Sequence, residues 1–113
     1  MDKYKVIFHI DEQIKIGLVL NNISNLIIDI GQENLEIEMV ANSDVVKLLV
    51  KGIEFEPMLE ELAKKQVRFC ACANSLRNFG LQKEELLDFV EVVSAGVGEI
   101  LKKQAAGWAY IRP

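Results

Sequence analysis

No glycine-rich turn follows the first strand-like segment, where His9-Ile10-Asp11-Glu12-Gln13 stands instead, so neither a dinucleotide fingerprint nor a phosphate-binding P-loop is present. An uninterrupted apolar run is missing too. A bilayer span takes about 20 such residues, and the most apolar region, Ile14 to Ile30, is broken by Lys15, Asn21, Asn22, Asn25 and Asp29, so no membrane association is expected. There is no cationic block. The 13 basic residues face 17 acidic ones for a formal charge of -4, and neither sign is gathered, which argues against nucleic acid as a partner. The opening Met1-Asp2-Lys3-Tyr4 lacks the apolar core and small-residue cleavage site of a secretory leader, and a cytoplasmic location is expected.

Soft ligands and nucleophiles are scarce, with two cysteines and one histidine in the whole chain. Cys70 and Cys72 are two residues apart. In one extended strand their Cα atoms would stand about 6.6 Å from each other, near the limit for a disulfide, so a structural bridge would be strained. Together with His9 they supply only three metal ligands, two of them too constrained to converge on one ion. No metal and no cofactor are expected. A receiver-type phosphoacceptor is excluded as well: Asp11 and Glu12 fit its acid pair, but Cys72 stands where its aspartate should end the third strand, and its lysine is missing.

What remains is a chain of 113 residues, half of them hydrophobic, only 7% aromatic, with positive mean hydropathy. Such a length suits one domain, here 1–113, and no Pro/Ser-rich linker, repeat or low-complexity segment divides it. The apolar surplus points to a subunit interface.

Strand patterns fall at Tyr4–Ile10, Leu35–Val40, Val67–Cys72, Phe89–Val93 and Trp108–Ile111. Helical patterns fall at Gln13–Ile30, which is apolar on nearly all faces and ends at Gly31, at Val45–Val50 behind Asn42-Ser43-Asp44, at Met58–Lys65 behind Pro57, and at Val97–Ala106. A short turn of helix capped by Asn74 or Ser75, and another at Gln82–Leu87, fill the gap before the fourth strand. Strands and helices alternate with no tight hairpin signal. That order predicts an α/β fold with a mostly parallel, about five-stranded sheet, right-handed crossovers and helices on both faces.

Ligands of open parallel sheets bind beyond the carboxyl ends of the strands, which makes the residues there the candidates: His9 and Asp11, Asn42 and Ser43, Cys72 and Asn74, and Ser94 before Gly96. Helix capping explains Asn42, Ser43 and Ser94 equally well. Cys72 caps nothing by necessity. At the head of a helix, with Arg77 about one turn on, its thiol would be partly ionised at neutral pH; the plainer reading makes it a small buried hydrophobe. That plainer reading is stronger for Cys70, inside the strand. His9 is either a proton-exchange partner for a neighbouring thiol or a structural histidine.

The segments Tyr4-Lys5-Val6-Ile7-Phe8-His9, Val40-Ala41-Asn42, Val67 to Leu76 and Gly107-Trp108-Ala109-Tyr110-Ile111-Arg112-Pro113 resemble the small DsrE-like proteins of the DsrE/DsrF-like family. The most specific element is a cysteine followed by x-Asn after the third strand. The resemblance implies a three-layer α/β/α sandwich and assembly into homotrimers or homohexamers. Relatives carry sulfur as a cysteine persulfide in sulfur oxidation or tRNA thiolation, a role that would fall on Cys72, with His9 or Asn74 orienting it and a sulfur-donor or sulfur-acceptor protein as partner. Cys70 is outside the motif. The alternative is a non-catalytic homo-oligomer that binds a small ligand or a protein, with Cys72 inert.

Overall fold

Short β-branched segments separated by helical stretches cannot return as hairpins, so each strand comes back beside an earlier one in the same direction. The computed structural model describes residues 2–113 and follows this rule throughout; Met1, at the head of the segment read for a leader, lies outside them. Five strands, β1 (Tyr4–Ile10), β2 (Leu35–Ala41), β3 (Val67–Cys72), β4 (Val90–Val93) and β5 (Ala109–Ile111), form one sheet in the order β4-β3-β2-β1-β5. Every pair is parallel.

That order divides the helices between the faces. Successive steps from β1 to β4 move the same way, so α1 (Ile16–Ile30), α2 (Glu56–Lys64) and α3 (Ala73–Asn78) lie on one face. There Val19, Leu20, Ile23, Leu59, Leu62 and Leu76 pack on Val6, Phe8, Met39 and Phe69. The last connection reverses, from the β4 edge to the far side of β1, and lays α4 (Gly96–Ala105) on the other face over Ile7, Val40 and Cys70. The result is a three-layer α/β/α sandwich, one layer of which is a single helix.

Element ends differ from the sequence expectation where tertiary bonds compete. Residues Ser43–Leu49 form a 3-10 helix rather than an α-helix, because the chain beyond is drawn into a short antiparallel bridge between Val50 and Leu86, with Leu87 N–H donating to Leu49 O at 2.9 Å. Residues Gln13–Lys15 are likewise 3-10, and α1 starts at Ile16. The turn expected in Gln82–Leu87 is the 3-10 segment Lys83–Glu85, closed by reciprocal capping of Gln82 and Glu85. Neither Asn74 nor Ser75 caps α3: the helix begins directly after Cys72 and both lie inside it. Trp108 is outside β5, its N–H still tied to Lys103 O at 2.9 Å, and Phe89 precedes β4 in a turn closed from Val90 N–H to Leu87 O.

The apolar helix α1 buries one face only. Ile16, Val19, Leu20, Ile23 and Ile27 are buried, while Leu18 and Ile28 remain 51% and 82% exposed. Ile23 has no exposed surface and sits in the main core, so Ile23→Ala is expected to lower stability by about 2 to 4 kcal/mol in urea unfolding. A loss under about 1 kcal/mol would mean that the α1 face is not packed as described.

Candidate functional site

Parallel pairing in register sets the strand ends level. Ile10, Ala41 and Ala71 share one row, and Asn42 N–H still reaches Ile10 O at 3.2 Å, so Asn42 and Cys72 emerge side by side at the carboxyl edge. The first residue of α4 rests on both. A Cβ placed on Gly96 would lie 3.4 Å from Asn42 Cβ and 3.5 Å from Cys72 Cβ, which puts the amino end of the ten-residue α4 against the thiol.

Cys72 is 5% exposed, and the Ser75 hydroxyl and the backbone of Gly96, Ser75 and Asn74 stand near its sulfur. Burial pushes the thiol up, but the Ser75 hydroxyl and the backbone N–H groups of Gly96, Ser75 and Asn74 outweigh it and hold the pKa below the ordinary thiol value. Cys72 is the residue before α3, and its side chain makes no cap hydrogen bond to that helix. Ser75 is buried and oriented by its other neighbour: its Oγ accepts Ser43 N–H at 2.7 Å, which leaves the hydroxyl proton free to face Cys72. Ser43 reaches that bond from a left-handed backbone, φ +59°, uncommon outside glycine.

Two residues back, Cys70 is a different group. It is fully buried, and desolvation, reinforced by the Glu38 charge, pushes its thiol up to about 12. Both cysteines are free.

His9 does not meet the thiol directly. Its Nδ1 lies 2.7 Å from Tyr110 Oη and its Nε2 lies 3.1 Å from Asn42 Oδ1. An amide oxygen only accepts, so Nε2 carries the proton and Nδ1 accepts the tyrosine hydroxyl. Both nitrogens are engaged, and β1 is two strand spacings, about 10 Å, from β3. Asn42, which shares the Gly96 contact with Cys72, stands between the two. Tyr110, Ser75 and Gly96 were not among the site candidates read from the sequence, where Ser75 figured only as a helix cap. For Gly96 a signal existed, a small residue opening a helix after the fourth strand; for Tyr110 the signal is the pairing of β5 with β1, which is a fact of topology.

The remaining candidates lie at the rim. Asn74 contributes its backbone N–H, while its exposed side chain accepts from Arg77 Nη2, so that Arg77 is turned to Asn74. Ser94 is exposed in the turn before α4. Asp11 is tied to Arg112, whose Nη2 lies 3.0 Å from both carboxylate oxygens, and the segment after β5 is thereby pinned across the end of β1.

Against known proteins, residues 3–113 match the DsrE/DsrF-like family, which covers nearly the full sequence and includes every residue just described. The chain belongs to this family. The DsrE-like fold is shared closely with the protein of unknown function MTH1491 from Methanobacterium thermoautotrophicum, at 44% identity and a TM-score of 0.92 over 98% of this chain and 100% of that one. Two more distant structures agree in fold. The ychN protein from E. coli has 20% identity and a TM-score of 0.73, with all of both chains covered. A conserved protein of unknown function, BT1422 from Bacteroides thetaiotaomicron, has 14% identity and a TM-score of 0.75 over 96% of this chain and 94% of that one. No curated protein matches the DsrE-like sequence.

The polar neighbours of Cys72 make the two cysteines separable by pH. Alkylation followed by peptide mass mapping should show Cys72 modified in the native protein, with a rate midpoint below that of the unfolded chain, because thiolate is the reacting form. Cys70 should stay unmodified until unfolding. Ser75→Ala is expected to move the Cys72 midpoint upward; an identical midpoint in native and unfolded protein would remove the case for an activated thiol.

Proposed function

We propose that this DsrE-like protein is a cytoplasmic sulfur carrier that works as one domain, with Cys72 as the residue that bears the sulfur. What supports the reading is the set of donors converging on the Cys72 sulfur, an arrangement that favours its anionic form. In the step itself the Cys72 thiolate attacks the outer sulfur of a donor persulfide, R–S–SH. The donor's S–S bond breaks, a Cys72–S–SH bond forms, and RS⁻ leaves with the electron pair. The exchange is balanced without an oxidant. The low-lying thiol that attacks well is also a good leaving group when the sulfur is handed to an acceptor protein.

The other site residues have supporting parts in this reading. Asn42, held by the His9–Tyr110 pair, forms one wall beside the thiol, and Asn74, Arg77 and Ser94 line the approach, with Arg77 offering a charge to an anionic partner group. Assembly into a homotrimer or homohexamer is supported by apolar side chains left uncovered on one chain: Leu18 and Ile28 on α1, and Val97 and Leu101 one turn apart on α4, at 68% and 69% exposure. The low exposure of Cys72 favours a second reading, a non-catalytic homo-oligomeric binding module in which the thiol is inert.

Incubation with a persulfide donor, followed by intact-mass measurement, decides between them. The carrier reading expects the added mass of one sulfur atom on the native protein, absent in Cys72→Ser and retained in Cys70→Ser. No adduct on native protein would favour the binding module. Light scattering should give a multiple of the 12.7 kDa chain mass, and a monodisperse species of that mass at micromolar concentration would end the oligomer expectation.

A further inference from the structure

A carboxylate inside a sheet covered on both faces has no water to turn to, so its protein partners have to account for it. Glu38 is completely buried, midway along β2 on the α4 side. One of its oxygens, Oε1, accepts from Arg68 Nη1 at 2.8 Å and faces Lys103 Nζ at 3.6 Å. The other, Oε2, has no hydrogen-bond donor among the described residues. Beside it stand Cys70, equally buried on β3, and Glu99, half-buried in the first turn of α4. A carboxylate oxygen from each glutamate and Cys70 Sγ lie within 4.8 Å of one another.

We propose that Glu38, Cys70 and Glu99 bind one borderline-soft divalent transition-metal ion, of which Zn²⁺ is the type, at a site separate from Cys72. The size is right. An ion centred in such a triangle would be no more than about 2.8 Å from each corner, against bonds of about 2.0 to 2.3 Å, and Glu99 on the outer helix can close the difference. The thiolate decides the ion class, since sulfur disfavours the hard ions magnesium and calcium, and zinc accepts carboxylate oxygens beside a cysteine sulfur. The surroundings suit a metal-bound carboxylate: Arg68 donates to Oε1 of Glu38 and Lys103 stands 3.6 Å from the same oxygen, which fixes the orientation of the carboxylate.

Charge points the same way. Glu91 takes Arg68 through two bonds, Nε to Oε2 at 2.8 Å and Nη2 to Oε1 at 3.2 Å. Arg68 is thus shared between Glu91 and Glu38, and Lys103 is the second cation beside the cluster, so the charge on Glu38 and Glu99 is not fully matched by neighbours held to them alone. On coordination the Cys70 proton passes to solvent and the sulfur–metal bond takes its place.

The test uses the purified protein freed of metal by a chelator and titrated with Co²⁺. One equivalent per chain should give a thiolate-to-cobalt charge-transfer band that Zn²⁺ abolishes by displacement. Cys72→Ser should keep the band, Cys70→Ser should lose it, and Glu99→Gln should weaken Co²⁺ binding roughly tenfold or more. Absence of the band in the native protein, or a band that follows Cys72 instead of Cys70, overturns the proposal. If Cys70→Ser fails to fold, Glu99→Gln decides alone, because an unchanged Co²⁺ affinity there also overturns it.

Discussion

The parallel, in-register pairing of β1, β2 and β3 is the constraint on which the rest of this molecule depends. It aligns Ile10, Ala41 and Ala71 in one row, so the chain leaves all three strands at the same height. It also forces every connection to cross a face of the sheet, which buries the central strands on both sides. The position of the thiol and the burial of Glu38 are consequences of that one arrangement.

The two cysteines show how sharply position along a strand controls chemistry. They share a strand and the side facing α4, and they are separated by a single alanine. Cys70 is inside the sheet among Ile7, Val40 and Ile100 and beside a carboxylate, surroundings that disfavour negative charge. Cys72 is at the strand end, where hydrogen-bonded pairing stops and backbone N–H groups of α3 and α4 are left to face its sulfur. A displacement of about 7 Å along β3 thus separates a buried thiol held in its neutral form from one biased toward its anion.

The reversal of the chain after β4 does the second half of the work. α4 brings the Gly96 N–H to Cys72 at one end and Glu99 and Lys103 to Glu38 further along, and it delivers Tyr110 to His9 on β5. One long crossover therefore completes two separate clusters. It also leaves its own outer side, Val97 and Leu101, without a cover on the single chain.

From the order of apolar segments and breakers alone, the five strands, the alternation, the parallel sheet and the place of Cys72 at the end of β3 could be read, because periodicity and turn residues are local properties and local spacing determines them. The start of α3 directly after Cys72 and the 3-10 form of Ser43–Leu49 could not, nor could the roles of Ser75, Gly96 and Tyr110, which depend on contacts between residues far apart in the chain. Glu38 lies between the two cases. Its alternation with Glu36 suggests a solvated face, and only the crossing of α4 over a central strand turns it inward. Local pattern decides which segments are strands; which side chains meet is decided by how the strands are ordered, a property that no single stretch of sequence contains.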